Sequence, residues 1–468
     1  MRLVFDRGTV LIPDPPQDVD LADVRGLLWD PRVKAYRAPA RRYVEVVKDL
    51  SRRGVPFWDG VPFLDPARSQ DPRGLLTAPG DWSAVALRPY QEAALCAWEL
   101  SGRRGLVVLP TGSGKTRVAL AAMAKTGLST LCLVPTRVLL EQWLREIRAV
   151  YADKVGCFGD GLRDLSPVTV ATFERAYRHM DRLGNRFDFL VIDEAHHFGS
   201  GLRDEALEMS IARARLGLTA SPPRQVSSLA RLADLIGPPV YELAVSDLAG
   251  RFLASFDAIT LHLDLTDGER RTYEELMSVF RGAFVQFRRL VPEGSWQDFA
   301  RAAARSAEGW RALSAFRQAR KLLAFTSAKR QALRSLLNRH QGSRTLVFTA
   351  DNESAYAIAR AHLIMPLTCD IGAQERHDVL ARFRTGELRA LVSARVLNEG
   401  LDVPDAGVAI VVGGTLGERE HLQRVGRLLR PAPGKRALVY ELVSRRTMEV
   451  AQARRRREGL ASRVTAQI

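Results

Sequence analysis

The sequence predicts an α/β chain. Two parallel-sheet domains stand in tandem, preceded by a small α/β domain and separated by a basic helical insert. Three observations lead to this. Short, almost continuously apolar runs recur between helical patterns in two separate blocks, as expected of strands buried on both faces. A glycine-rich loop directly follows the first run of the first block. A segment with few strand signals, rich in Arg, Ala, Leu and Phe, divides the blocks.

Residues 1–85 form the first unit. VFDRGTVLI and the apolar positions Tyr43, Val44, Val46 and Val47 suggest a strand or two and a helix, followed by a Pro/Gly-rich linker from Pro56 to Gly80. Residues 86–245 carry the strand-like runs 105–110, 130–135, 168–172, 187–193 and 215–220. Residues 246–335 read as the helical insert. Its aromatics Phe284, Phe287, Trp296, Phe299, Trp310 and Phe316 are core residues first and base-stacking candidates second. Residues 336–468 return to alternation, with runs at 344–350, 390–394, 408–413 and 436–443, and an Arg run at 454–457 closes a last helix.

Composition narrows the function classes. Of 468 residues, 46% are hydrophobic and 26% charged, which fits a globular chain and excludes a disordered or collagen-like one. The net charge is +16, about +3 over the first 250 residues and about +13 over the last 218. Eleven basic residues lie between Arg301 and Arg344 against one acid, Glu308. Such a bias points to a polyanion. The polyanion is either nucleic acid or an acidic membrane surface; no apolar run approaches the ~18 residues of a membrane span, so a membrane-spanning role is not expected. The expected location is the cytoplasm, in association with the nucleoid. Cys96, Cys132, Cys157 and Cys369 form no CxxC and read as reduced thiols, not zinc ligands.

Three motifs carry chemistry. In LVVLPTGSGKT (106–116), a strand enters a loop of Thr111, Gly112, Ser113 and Gly114, and a helix follows. Backbone N–H groups and the helix N-terminus suit phosphates; Lys115 would reach the β/γ-phosphates and Thr116 would ligate Mg²⁺. Leu109 occupies the position where the strict pattern has Gly. In FDFLVIDEAHH (187–197), an apolar strand ends in Asp193, suited to hold a metal, and Glu194, suited to deprotonate water. In HLQRVGRLLRP (421–431), Arg424, Arg427 and Arg430 share a helix face. Arg427 and Arg430 are candidate arginine fingers.

LRPYQ (87–91), PTGSGKT (110–116), VPTR (134–137), DEAH (193–196), LTAS (218–221), LVFTA (346–350), NEGLDVP (398–404) and QRVGRLLR (423–430) occur in that order. The chain therefore resembles superfamily 2 helicases over residues 86–445, and within them the XPB-type DNA repair and transcription helicases. The resemblance implies two RecA-like domains using ATP and Mg²⁺, 3′-to-5′ polarity on single-stranded DNA or duplex junctions, and DNA repair. It makes the N-terminal domain a candidate DNA contact and a nuclease a candidate partner. Residue by residue, it places Arg88 and Gln91 at the adenine, and Lys115, Thr116 and Asp193 at phosphate and metal. Glu194 falls at the water, and His196 links to Thr219 and Ser221. Gly400, Asp402, Gln423, Arg427 and Arg430 would sense nucleotide, while Thr136, Arg137, Thr172 and Thr349 would contact a nucleic-acid backbone. Two features depart from the family. Ala394 stands where many members have a hydroxyl residue, and the Arg-Glu-Asp triplet of XPB-type helicases is missing, with only the permutation RDE at 203–205. Residue types leave an RNA helicase or remodeller, and an ATP-switched DNA-binding scaffold, as alternatives. They are silent on lesion preference and oligomeric state.

Overall fold

A computed structural model describes residues 1–15, 21, 23–24, 26–62, 80–159, 162–201, 203–223, 225–244, 247, 255–368, 370–394, 406–413 and 436–460. It divides into two units, 1–244 and 245–468.

The first unit begins with a five-stranded sheet: β1 (Arg2–Asp6), β2 (Thr9–Ile12), β3 (Leu28–Asp30), β4 (Ala35–Pro39) and β5 (Trp58–Gly60), in the order β3-β4-β2-β1-β5. Helix α1 (Tyr43–Arg52) turns Tyr43, Val46 and Leu50 onto a core with Leu3, Val10 and Ile12. The sequence signals a strand or two of these five; β3 and β5 are only three residues long, and β4 carries Arg37 and Pro39 within five residues.

The larger sheet of this unit contains β6 (Arg104–Val108), β7 (Thr130–Val134), β8 (Val155–Gly159), β9 (Leu162–Asp164), β10 (Val168–Thr172), β11 (Phe189–Ile192), β12 (Ala214–Thr219) and β13 (Pro239–Glu242). Their order is β13-β6-β12-β11-β7-β10-β8-β9. All pairs are parallel except β8–β9, and Val191 lies opposite both Cys132 and Leu216. Every residue of β7, β10, β11 and β12 is buried, which is why these strands read as nearly continuous apolar runs, with Arg215 of β12 the one charge. Around the sheet pack α2 (Pro89–Leu100), α3 (Lys115–Thr126), α4 (Arg137–Arg148), α5 (Phe173–Leu183), α6 (Glu205–Glu208) and α7 (Val226–Leu235). Because the strands run the same way, Asp193 and Thr219 emerge at the same edge as the loop after β6.

The opposite edge holds the N-terminal sheet. Ile211, from the loop before β12, belongs to that small sheet's core. Asn185 Nδ2 donates to the Val61 carbonyl at 3.0 Å, and Arg41 pairs with Asp234 at 2.9 Å.

Among the described residues, the second unit has six parallel strands: β14 (Ser255–Leu263), β15 (Thr345–Phe348), β16 (Met365–Leu367), β17 (Ala390–Ser393), β18 (Val408–Val411) and β19 (Arg436–Ser444). Their order is β14-β19-β18-β15-β17-β16. Helices α8 (Asp267–Leu290), α9 (Trp296–Ala303), α10 (Ala307–Ala324), α11 (Ser327–Arg339), α12 (Asn352–His362), α13 (Ala373–Thr385) and α14 (Met448–Leu460) complete it. Among the described residues, no helix is long and apolar enough to cross a membrane.

The expected helical insert at 246–335 departs from the structure in two places. Residues 255–263 form β14, paired with β19 along its full length. As an edge strand it alternates polar and apolar residues, so the helical composition after Glu269 hides it. Helix α11 runs past the expected boundary and gives Leu333 and Leu336 to the core of the second sheet. The aromatics behave as core: Phe280 and Phe299 are buried, and Phe284, Phe287 and Phe316 pack against them. Trp296 and Trp310 are about half exposed, with the Arg317 guanidinium over the Trp310 ring. Buried Lys329 pairs with Glu449 at 2.6 Å, and the Met448 N–H donates to Tyr273 Oη at 2.9 Å. These contacts anchor α14, which carries the Arg run of 454–457.

Arg215, at the start of β12, is fully buried. Its guanidinium donates to the carbonyls of Ala212 (3.2 Å), Leu207 (3.0 Å), Leu235 (2.6 Å) and Ser210 (2.7 Å). Burial, with Arg104 and Arg41 nearby, pulls its pKa well below the arginine range. One side chain thus joins α6, α7 and the loop between α6 and β12. Arg215→Met should lower stability by about 3 kcal/mol or more, because several buried carbonyls lose their donors together. Chemical denaturation reads this directly.

Candidate functional site

The loop after β6 is shaped by glycine and held by α2. Gly114 sits at φ 77°, ψ 42°, and a Cβ there would come within 2.7 Å of Gln91 Nε2. Buried Gln91 Nε2 donates to the Ser113 carbonyl at 2.8 Å, while its Oε1 accepts from the Arg88 N–H at 2.9 Å. Tyr90 Oη adds a second bond to the Ser113 carbonyl at 2.6 Å. Ser113 Oγ turns back to the Pro110 carbonyl at 2.6 Å. Lys115 and Thr116 open α3, and Lys115 Nζ donates to the Leu109 carbonyl at 3.1 Å. The helix N-terminus and this ammonium make the loop electropositive. Thr111 Oγ1 is buried without a hydrogen-bond partner, so the loop retains unused polar capacity.

The end of β11 supplies the negative side. Asp193 Oδ1 accepts from the Glu194 N–H and Oδ2 from Trp143 Nε1, both at 2.9 Å. Burial pushes the Asp193 carboxyl up, and the charge of Glu194 adds to the shift. Burial acts on Glu194 in the same sense. The His196 imidazole, 3.3 Å away, and the charge of Lys115 outweigh that and hold it below the carboxylate range. Glu194 is therefore the more acidic of the two and is held ionised, as a base must be. It sits at φ 47°, a left-handed conformation costly for a non-glycine residue and characteristic of functional sites.

A relay leaves this pair. His196 Nδ1 lies 3.3 Å from Glu194 Oε2 and 3.1 Å from Thr219 Oγ1. Thr219 Oγ1 donates to the Ser221 carbonyl at 3.0 Å and accepts from its N–H at 3.2 Å. The structure thus joins Glu194, His196, Thr219 and Ser221 in one chain of contacts.

The remaining sequence-selected residues fare differently. Arg137 is exposed at the start of α4, and Thr136 caps that helix by accepting from the Leu139 N–H at 3.3 Å. Thr172 is nearly buried at the end of β10. Thr349 is fully buried and donates to the Asp351 carbonyl at 3.0 Å, so its hydroxyl holds a turn. Asp204 of the RDE run accepts from the Gly199 and Gly201 N–H groups at 2.8 and 3.2 Å, a structural role. Gly400, Asp402, Gln423, Arg427 and Arg430 lie outside the described residues. Sequence reading misses Tyr90 and Trp143. Tyr90 is flagged only by its place beside Gln91, and Trp143 by nothing beyond an inward position on α4.

Residues 84–224 match the family model described as type III restriction enzyme, res subunit, and 328–432 match the helicase conserved C-terminal domain. With two parallel-sheet units and this site, that defines the class: a superfamily 2 helicase core. Residues 3–61 match the Xeroderma pigmentosum group B helicase damage recognition domain. The chain is 36% identical over 92% of its length to the "DNA 3′-5′ translocase XPB2" of Sulfurisphaera tokodaii, covering 96% of that protein. It is 31% identical over 80% of its length to the "DNA 3′-5′ helicase XPB" of Mycobacterium tuberculosis, and spans 64% of that longer protein. The chain belongs to the XPB family. A crystal structure of the Pyrococcus furiosus Hef helicase domain shares its fold, with a TM-score of 0.55 at 20% identity over 79% of this chain and 98% of that one.

Glu194→Gln should leave ATP affinity within about threefold and reduce turnover by at least ~10²-fold, since the isosteric amide cannot take a proton. Equilibrium ATP binding and steady-state hydrolysis on one preparation check it.

Proposed function

We propose that this chain is an ATP-driven motor that moves 3′ to 5′ on DNA and opens duplex junctions, acting in DNA repair. One observation carries the reading: the electropositive loop of Lys115 and the ionised, strained Glu194 share one sheet edge, and a contact relay leads away from it. In this reading the loop N–H groups and Lys115 bind the β/γ-phosphates, and Glu194 takes the proton of the attacking water. His196, Thr219 and Ser221 transmit the state of the site.

Asp193 and Thr116 fit a hard divalent cation, since both offer oxygen at the phosphate loop and each Asp193 oxygen keeps a further lone pair. Mg²⁺ bound there would neutralise phosphate charge. Arg427 and Arg430 are the proposed fingers, with Gly400, Asp402 and Gln423 beside them, and Arg88 and Gln91 line the base side. Arg137, with Thr136 and Thr172, is the proposed backbone contact of the first half, and residues 3–61 a further DNA contact. No group of three or more metal-ligating side chains occurs among the described residues. A nuclease is a proposed partner. Association with the nucleoid follows from DNA binding.

ATP hydrolysis should be stimulated more by DNA than by RNA of the same sequence. Duplexes with a 3′ overhang should be opened and those with a 5′ overhang should not, and Lys115→Ala should abolish both hydrolysis and opening. Equal stimulation by RNA would favour an RNA remodeller. Nucleotide binding without turnover would favour an ATP-switched scaffold.

Arg427→Ala and Arg430→Ala should keep ATP binding and lose turnover on the order of 10³–10⁵-fold if they are fingers. Affinity for DNA without ATP should stay constant. A fall in DNA affinity with unchanged basal hydrolysis would make them a DNA-contacting patch instead.

A further inference from the structure

We propose that Arg117 sets the fit of the nucleobase pocket and so selects nucleotide over bare phosphate. The proposal rests on the reading of the Lys115 loop as a triphosphate site. No motif used above includes this residue, which follows Thr116 by one position.

Arg117 is exposed on the first turn of α3, so its position is not dictated by the core. Its Nε and Nη2 both donate to the Ala86 carbonyl, at 3.1 and 2.8 Å. The side chain passes the glycine loop: a Cβ on Gly114 would lie 3.8 Å from Arg117 Cδ. The guanidinium therefore bridges the loop to the strip of residues that leads into α2.

That strip is otherwise thinly supported. At its start, Trp82 bridges Tyr151, and the Ser83 N–H donates to the Val150 carbonyl at 2.8 Å. Further along, it has open space on both sides. A cleft of about 400 Å³ lies on the loop side, lined by Ala86, Leu87, Arg88, Gln91, Gly114 and Arg117 among others. A second, of about 560 Å³, lies on the far side, lined by Trp82, Val85, Leu87, Leu95, Ala121 and Lys125 among others. A wall with empty space behind it is not fixed by close packing. Its distance from the loop is set by the hydrogen bonds that span the gap, and Arg117 makes two of them.

The chemistry of the cleft indicates what it takes. Its lining joins apolar Ala86 and Leu87 to amide, guanidinium and loop backbone, while Lys115, Asp193 and Glu194 lie outside it. That suits a flat, weakly polar heterocycle beside the loop better than a phosphate chain. The planar Arg117 guanidinium can stack on such a ring while its N–H groups hold the wall. Arg117 is thus a positioning residue: it fixes the wall against which the base packs and leaves the phosphate subsite untouched.

The test compares wild type, Arg117→Met, Arg117→Lys and Lys115→Ala. Equilibrium binding is measured for Mg²⁺–ATP and for Mg²⁺–tripolyphosphate, which lacks a base, together with steady-state ATP hydrolysis. Arg117→Met should weaken ATP binding and raise its KM by about tenfold, the loss expected when two charge-assisted hydrogen bonds no longer hold the wall. Turnover at saturating ATP should fall by less than about threefold, since an interaction made equally in ground and transition states affects KM. Tripolyphosphate affinity should not change, which also shows that the variant is folded. Arg117→Lys keeps the charge but not the two-pronged donor and should resemble Met. Equal weakening of ATP and tripolyphosphate would make Arg117 a phosphate ligand, and unchanged ATP affinity would remove it from the base pocket; either overturns the proposal. Lys115→Ala tests the underlying reading separately. If it leaves the affinity for both ligands intact, the triphosphate site is misplaced, whatever Arg117 does.

Discussion

A parallel sheet covered on both faces leaves charged groups nowhere to go except the strand ends. The larger sheet of the first unit obeys this rule at both edges. At the C-terminal ends of its strands lie Lys115, Asp193, Glu194 and Thr219. At the opposite ends lie Arg215, Asp188 and Arg213, the last two paired at 3.5 Å. Strand β12 takes part in both edges, with Arg215 near its start and Thr219 at its end. The chemistry of the site and the anchorage of the N-terminal sheet therefore share one rigid element.

The adjacent carboxylates show how environment divides labour between like groups. Asp193 is tied by Trp143 and by the backbone of Glu194, and carries the desolvation burden. Glu194 is turned into a left-handed conformation, where His196 and Lys115 favour its charge. Two carboxylates that would otherwise titrate together are driven apart, which lets neighbouring residues assume different roles. Unequal side-chain surroundings achieve this separation: His196 and Lys115 favour the charge on Glu194, while burial and the neighbouring Glu194 charge oppose it on Asp193.

Nearly continuous apolar runs followed by polar loops make most strands of both parallel sheets legible in the sequence. They also place Lys115, Asp193, Glu194 and Thr219 at strand ends. Less legible were elements whose residues face two environments. Strand β14 lies at a sheet edge, and β3 and β5 are too short to show a period. Contacts formed through tertiary folding left no sequence signal. Trp143 reaches Asp193 across 50 residues of chain, and Thr349 turns its hydroxyl into a local turn where the motif suggests an outward contact. Arg215 sits inside an apolar run, where sequence reasoning expects no charge. Only the four surrounding carbonyls explain it.

The seam between the N-terminal sheet and the larger sheet is a boundary in sequence but not in packing. Ile211 lies about 150 residues downstream of the small sheet, yet completes its core. Met209 fills the space that a side chain at Gly8 would occupy. The small sheet and the larger sheet therefore share side chains across their seam. A lineage that replaced or lost the small sheet would also have had to rework the surface of the larger sheet's α6–β12 loop, where apolar residues would otherwise face water.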